Sequence, residues 1–423
     1  MLSNMLQRFF FNKDLGILLI GTVIAQAIPV LASPLLTRLY TPENFAGLAI
    51  LMAWFNPLCY LASGRFEIAV LLPKENEEAK QLVRVSSLWS FAIAAIVMTF
   101  ITLYITFFSR DISSTPYRSI FIVLPFLILF AGNFQPVNYW LQRKKQFKAI
   151  AVNKIIQTSS VMIATIAFAY IYPSSGLIIG YSVGWIAMFV VSFYFFRKDK
   201  IIPFKPDRVA LLETLKKYKE FPIFNGLPSI LNALTLSLPV FLIAIYYSKQ
   251  DTGYFNLTRQ ILFVPTSILA TSFSQVFFER IVSHKNQALS VSDDYKKMIN
   301  ILALIAIGFT IPLLIAGPFL FSFIFGETWA VSGGFAQILV LSTAIQFVVL
   351  PLGAVLQTFN KVKLNGIWQV FYFLAVSSLA FAGNLDLSSF LKLYTIIELI
   401  AFLILFYFVH KTIKDYELQL NPN

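Results

Sequence analysis

Apolar positions gather in long unbroken runs that recur from one end of the chain to the other, in place of the alternation of half-buried strands or the one-sided stripe of surface helices. The runs cover roughly residues 15–36, 46–72, 88–108, 119–141, 152–172, 177–196, 223–247, 261–282, 299–324, 335–357, 366–383 and 389–409. Most approach the ~20 residues that carry a helix across about 30 Å of hydrocarbon. The pattern therefore predicts an all-α integral membrane protein of about twelve transmembrane helices. Its connectors are too short to hold a soluble domain, so function must lie within the bundle. The first run follows Arg8 and Lys13 and passes Ala25-Gln26-Ala27, the outline of a signal peptide, but its hydrophobicity continues to Leu36 and it reads as a retained span.

The longest connector, Arg197 to Phe221, falls after six runs and before six more. It divides the chain into an N-terminal six-helix lobe (1–200), a cytoplasmic linker helix (201–222) and a C-terminal six-helix lobe (223–423). In the linker, Leu211, Leu215 and Tyr218 share a face, Lys216, Lys217, Lys219 and Glu220 lie mostly elsewhere, and Asp207 can cap. That predicts an interfacial helix on the cytoplasmic leaflet. The halves also match: a shift of 207 residues lays Tyr40-Thr-Pro-Glu-Asn-Phe-Ala46 on Tyr247-Ser-Lys-Gln-Asp-Thr-Gly253, with Thr41 and Ser248 as N-caps. An even number of spans per half makes both enter the membrane in the same sense, hence two parallel lobes around a central cleft.

Composition narrows the class. With 58% hydrophobic and 13% charged residues the chain is no soluble domain, and a net charge of +13 from 33 Lys+Arg and 20 Asp+Glu lacks the polar surface that nucleic-acid binding needs. The basic residues fall 26 to one side of the spans and six to the other, with Arg65 inside a run, which orients the chain with both termini in the cytoplasm. Cys59, His284 and His410 are too few and too scattered for a disulfide framework or a metal centre. No Walker-type loop, His-Glu-x-x-His or Gly-x-Ser-x-Gly motif occurs. The outer connectors are too short to carry catalytic acids, so a non-enzymatic protein is expected.

Spans 1 and 7 are the most interrupted, by Gly16, Gly21, Pro29 and Pro34 and by Pro222, Gly226, Pro228 and Pro239. Matching interruptions in two repeats point to mobile helices that line a substrate path, with Pro29, Pro34, Pro228 and Pro239 as hinges. Ionisable groups inside the bilayer are expensive and mark pathways or partners. They are Arg65 and Glu67 in span 2 and Glu398 in span 12, with Arg38 and Arg259 at outer ends. On one helix Arg65 and Glu67 stand about 200° apart, so one faces the cleft and the other ties span 2 to a neighbour. Counted from Leu72, Arg65 lies roughly 10 Å deep. Glu398, near mid-depth, is a candidate for coupling to an H+ or Na+ gradient or else a helix-to-helix hydrogen bond. Gln26, Asn133, Asn138, Asn232, Gln275 and Gln346 offer neutral donors and acceptors that suit a sugar, or serve as interhelical glue. The run Arg143-Lys-Lys-Gln-Phe-Lys148 could attract a lipid phosphate, although positive-inside topology also accounts for it.

Several stretches carry a family resemblance. Ser33-Pro-Leu-Leu-Thr-Arg-Leu-Tyr-Thr-Pro-Glu-Asn-Phe-Ala46, Ser63-Gly-Arg-Phe-Glu-Ile-Ala69 with the following Leu-Leu-Pro-Lys74, Leu141-Gln-Arg-Lys-Lys-Gln-Phe147 and Ser274-Gln-Val-Phe277 resemble the Wzx-type O-antigen and polysaccharide flippases, a branch of the multidrug/oligosaccharidyl-lipid/polysaccharide exporter superfamily. Ala46 departs from the glycine usual there. The resemblance implies a V-shaped pair of lobes around a central cavity. In the bacterial inner membrane this pair would move an undecaprenyl-diphosphate-linked oligosaccharide outward by alternating access, as a monomer, without a bound cofactor. A polysaccharide polymerase and a chain-length regulator are the protein partners it implies. It sets Arg38, Arg65 and Glu67 on family patterns, where cavity arginines meet the diphosphate. Arg259 and Glu398 rest on physical argument alone. A drug/cation antiporter of the same superfamily is the alternative; it would want an acidic cavity, whereas Glu67 and Glu398 are set against Arg65 and rim arginines.

Overall fold

The computed structural model describes residues 13–108, 118–201 and 208–420, and these residues contain helices and no strand. In chain order the helices are α1 (Lys13–Leu39), α2 (Pro42–Ser63), α3 (Phe66–Ala69), α4 (Asn76–Phe108), α5 (Arg118–Arg143), α6 (Phe147–Ile171), α7 (Gly176–Lys198), α8 (Arg208–Lys217), α9 (Leu227–Tyr246), α10 (Lys249–Asn286), α11 (Ser292–Phe325), α12 (Ala330–Leu352), α13 (Ala354–Thr358), α14 (Val362–Ser377) and α15 (Leu387–Leu420). Among the described residues, twelve helices are long and apolar enough to cross a membrane. All twelve predicted runs have their helix. The second alone ends well short of its run, at Ser63 instead of residue 72.

The helices pack as two compact units, Met1–Ala32 with Leu39–Ser237, and Ser33–Arg38 with Leu238–Asn423. In the first, α7 carries Gly176, Gly180 and Gly184 at four-residue spacing, and α6 lies directly on that stripe: Cβ atoms there would meet the Tyr40 hydroxyl, Thr165 and Val161 at 2.0–2.2 Å. Lipid tails give apolar helices no reason to leave them, so close approach through small residues supplies the attraction. A core of Phe66, Val70, Leu82, Val83, Trp140, Leu141, Ile150 and Phe195 closes one end of this unit. The linker helix α8 belongs to it. Leu211, Leu215 and Tyr218, the face that the sequence offers to the leaflet, turn instead onto that core, with the Tyr218 hydroxyl donating to Glu78 Oε1 at 3.0 Å, Thr214 to Gln81 Oε1 at 3.0 Å, and Lys217 paired with Glu78. Protein takes this face because α4 begins at Asn76, more than three turns before its apolar run, and presents matching acceptors. Val209 and Leu212 remain on the exposed side. Asp207, the expected cap, lies outside the described residues.

In the second unit α12 packs against α10, α11 and α15. Its polar joints are Thr258 Oγ1 to the Ser332 carbonyl at 2.9 Å and Ser332 Oγ to the Tyr254 carbonyl at 3.0 Å. Trp329 Nε1 donates to the Thr37 carbonyl at 3.1 Å, which ties the end of α1 into this unit. The repeat seen in the sequence recurs in the backbone. Thr41 (φ −82°, ψ 164°) and Ser248 (φ −82°, ψ 161°) cap α2 and α10 alike, each backbone N–H reaching the side chain three residues on, Asn44 and Asp251.

Candidate functional site

The first charged cluster forms where α2 stops. Gly64 and Arg65 both take the left-handed conformation, each with φ 57°, and the chain re-enters helix as α3. The carbonyls freed at the end of α2 are met: Leu61 accepts from the Gly64 N–H at 3.1 Å and Trp89 Nε1 at 3.0 Å, Ser63 from Ser86 Oγ at 3.1 Å. This break overturns the single-helix geometry expected for residues 65 and 67. Instead of standing on opposite faces, Arg65 Nη1 and Glu67 Oε1 lie 3.5 Å apart. Depth reckoned along one helix from Leu72 fails for the same reason.

Glu67 is buried at 1% exposure while Arg65 keeps 22% of its side chain accessible. Glu67 Oε1 accepts from the Ser63 hydroxyl at 3.1 Å, and the guanidinium sits 5.2 Å from the centroid of the Tyr60 ring, a cation–π contact. Cys59 and, on α5, Tyr139 lie within reach of both charges. Gly226, in a π-helical turn Pro222–Gly226 that opens α9, has the Arg65 Cγ as a neighbour at 3.8 Å from where its Cβ would be.

The second cluster lies in the other unit. Glu398 on α15 is buried and accepts from the hydroxyls of Tyr372 on α14 at 3.0 Å and Tyr394 at 2.5 Å. Arg259 on α10 stands 5.7 Å from the Phe255 ring centroid and its charge reaches both tyrosines. Thus Arg65 joins Glu67, and Arg259 joins the Glu398 tyrosines. Arg38, Asn232 and Gln275 have exposed side chains. Helix α1 runs through Pro29 and Pro34 without interruption, Pro228 lies in the first turn of α9 and Pro239 within it.

Three groups escaped the sequence reading. Lys154, one of the basic residues in the cytoplasmic 26, lies two turns inside α6 and donates to Thr22 Oγ1 of α1 at 2.9 Å. Asp294, buried at 6%, has Arg280 Nε and His284 Nδ1 at ion-pair distances of 2.7 and 3.1 Å from its Oδ2. Arg143, placed with the lipid-phosphate candidates, donates to the Val70, Lys74 and Glu75 carbonyls at 3.1–3.3 Å and so holds the turn before α4. The start of α6 at Phe147, ahead of its apolar run, hid the first; the others depend on contacts distant in sequence.

Helices, two units and sparse buried charge define a multi-pass membrane protein with the fold of transporters of the MOP superfamily. Its fold matches the inward-facing conformation of a multidrug resistance MATE family transporter (TM-score 0.72, 14% identity, covering 93% of this chain and 95% of that one). It matches as well the inward closed conformation of the lipid II flippase MurJ (0.72, 14%, 95% and 90%). A MOP superfamily transporter from Pyrococcus furiosus, described as having a binding pocket of reverse polarity, follows at 0.61 and 16%, covering 95% and 94%. No curated protein matches the sequence. A family model described as "Polysaccharide biosynthesis protein" matches residues 35–333, well over half of the chain, and the protein belongs to that family.

Proposed function

We propose that this protein is a flippase that carries an undecaprenyl-diphosphate-linked O-antigen or other polysaccharide repeat unit from the cytoplasmic to the outer leaflet of the bacterial inner membrane, by alternating access. The observation that carries the reading is Arg65 at the α2 break, its side chain partly accessible and its guanidinium paired only at 3.5 Å, in a membrane protein of the polysaccharide biosynthesis family. A cation that is incompletely neutralised suits an anionic diphosphate and opposes a cationic drug, which sets the multidrug/cation antiporter second. The bias of basic residues supports cytoplasmic termini. Arg38 and Arg259 are further anion contacts in this reading, Asn232 and Gln275 contacts for sugar hydroxyls, and Glu398 a group for H+ or Na+ coupling.

Arg65→Ala is expected to leave the protein folded and membrane-inserted while lipid-linked repeat units accumulate inside and periplasmic units disappear. Labelling of surface polysaccharide in the mutant checks this, and a normal surface level would remove Arg65 from the path.

A further inference from the structure

The break after α2 brings together a base and an acid that do not satisfy each other. Glu67 is buried, yet its charged partner stands at 3.5 Å, beyond the about 2.7–2.9 Å of a charge-assisted hydrogen bond. Its second oxygen, Oε2, and Arg65 Nε are both buried without a hydrogen-bond partner among the described residues. A buried pair holds firmly only when its remaining protons and lone pairs are met as well. This one is half made, with the guanidinium over the Tyr60 ring and the Arg65 side chain still partly accessible.

The groups around Glu67 are Arg65 and Ser63 at the break, Cys59 on α2 and Tyr139 on α5, with Tyr60 under the guanidinium; Arg65 is the cation among them. An anion that draws Arg65 toward itself would leave Glu67 as an uncompensated carboxylate in an apolar setting. Such a group takes a proton instead of keeping its charge. Glu398, by contrast, already receives two tyrosine hydroxyls.

We propose that Arg65 is shared between Glu67 and the anionic group of the lipid-linked saccharide, and that Glu67 takes up one proton when the anion takes Arg65. The proton comes from water, the carboxylate becomes a carboxylic acid, and no other bond changes. The proposal rests on the reading of Arg65 as an anion contact and extends it: binding becomes proton-linked at a named residue, with proton and anion arriving together.

Full-length protein in phosphatidylcholine nanodiscs would be titrated calorimetrically with a short-chain prenyl diphosphoryl-sugar, whose diester diphosphate does not itself titrate near neutrality. Two buffers of different ionisation enthalpy count the protons. Wild type should take up about one proton per ligand above the pH at which Glu67 ionises, with affinity falling there by up to about tenfold per pH unit. Glu67→Gln should bind more tightly, with no pH slope and no uptake. Wild-type binding without uptake, or a Glu67→Gln variant that keeps the wild-type slope, overturns the proposal; the wild-type count stands even if the variant misfolds. Binding that survives Arg65→Gln, or none in wild type, instead removes the flippase reading of Arg65 beneath it. Displacement of the probe by phosphatidylglycerol nanodiscs would assign the anion to a lipid headgroup and likewise overturn the assignment.

Discussion

Arg65 is held in the left-handed region at φ 57°, where an L side chain costs about 1–2 kcal/mol relative to glycine. Its side chain and its backbone therefore pull stability in opposite directions, and substitutions can separate them. Arg65→Gly and Arg65→Ala both delete the guanidinium and leave Glu67 equally alone. The glycine variant should melt higher than the alanine variant by the equivalent of about 1 kcal/mol in a thermal scan in detergent, while both lose transport. Equal melting would mean that the backbone relaxes away from the turn. The residues of this site were legible as rare charges in an apolar run, but their meeting was not. Counting about 100° per residue assumes a helix, and the helix had already ended. The signal for that end was present: Gly64 is the left-handed residue that commonly follows the last helical turn, and an apolar run on both sides masked it.

At the scale of an element, α11 shows how proline is accommodated away from water. Ala316 leaves helical geometry (φ −124°, ψ 20°) between Pro312 and Pro318. Pro318 has no N–H for the Leu314 carbonyl four residues back, and Gln337 Nε2 of α12 donates to that carbonyl at 2.8 Å in its place. Gln337→Leu should destabilise the protein by about 1–3 kcal/mol, the usual penalty for an acceptor left unpaired away from water. In the Pro318→Ala background, where the backbone donor returns, the same change should cost much less; additive effects in this double-mutant cycle would deny the substitution of one donor for the other. The crossing is tight, since a Cβ on Gly333 would fall 2.3 Å from the Gly317 carbonyl oxygen. The other end of α11 is capped from outside: Glu417 Oε1, near the end of α15, accepts from the N–H groups of Val291 and Ser292 at 2.8 and 3.0 Å and from Ser290 Oγ at 2.9 Å. Glu417→Ala should lower stability by about 1–2 kcal/mol, measured by thermal unfolding, as expected for a lost helix N-cap. The sequence marks spans 1 and 7 as the interrupted ones; α1 continues as helix through its prolines, span 7 opens with the π-helical turn Pro222–Gly226, and the ninth span leaves helical geometry at Ala316. Whether a proline bends a helix depends on what neighbouring side chain can meet the freed carbonyl, which composition along one strand of sequence does not contain.

For the whole molecule, the 26-to-6 partition of basic residues predicts which connectors face the cytoplasm. In a Cys59→Ser background, a cysteine at Lys414 should react with a membrane-impermeant maleimide only in opened cells, and one at Asp386 in intact spheroplasts; the reverse pattern would invert the topology. The number of spans, their places along the chain and the pairing of the halves were determined by the sequence, because each depends on a local property: the length of an apolar run, its flanking charge, or the spacing of a cap. Tertiary structure decided the rest. It ended α2 at Ser63, turned the linker face onto α4, put Lys154 inside α6 beside Thr22, and set Glu67 against Arg65 and Glu398 between two tyrosines. A buried polar group is stable only through partners that satisfy it, and most of those partners arrive from other helices, so its role is fixed where the chain returns upon itself.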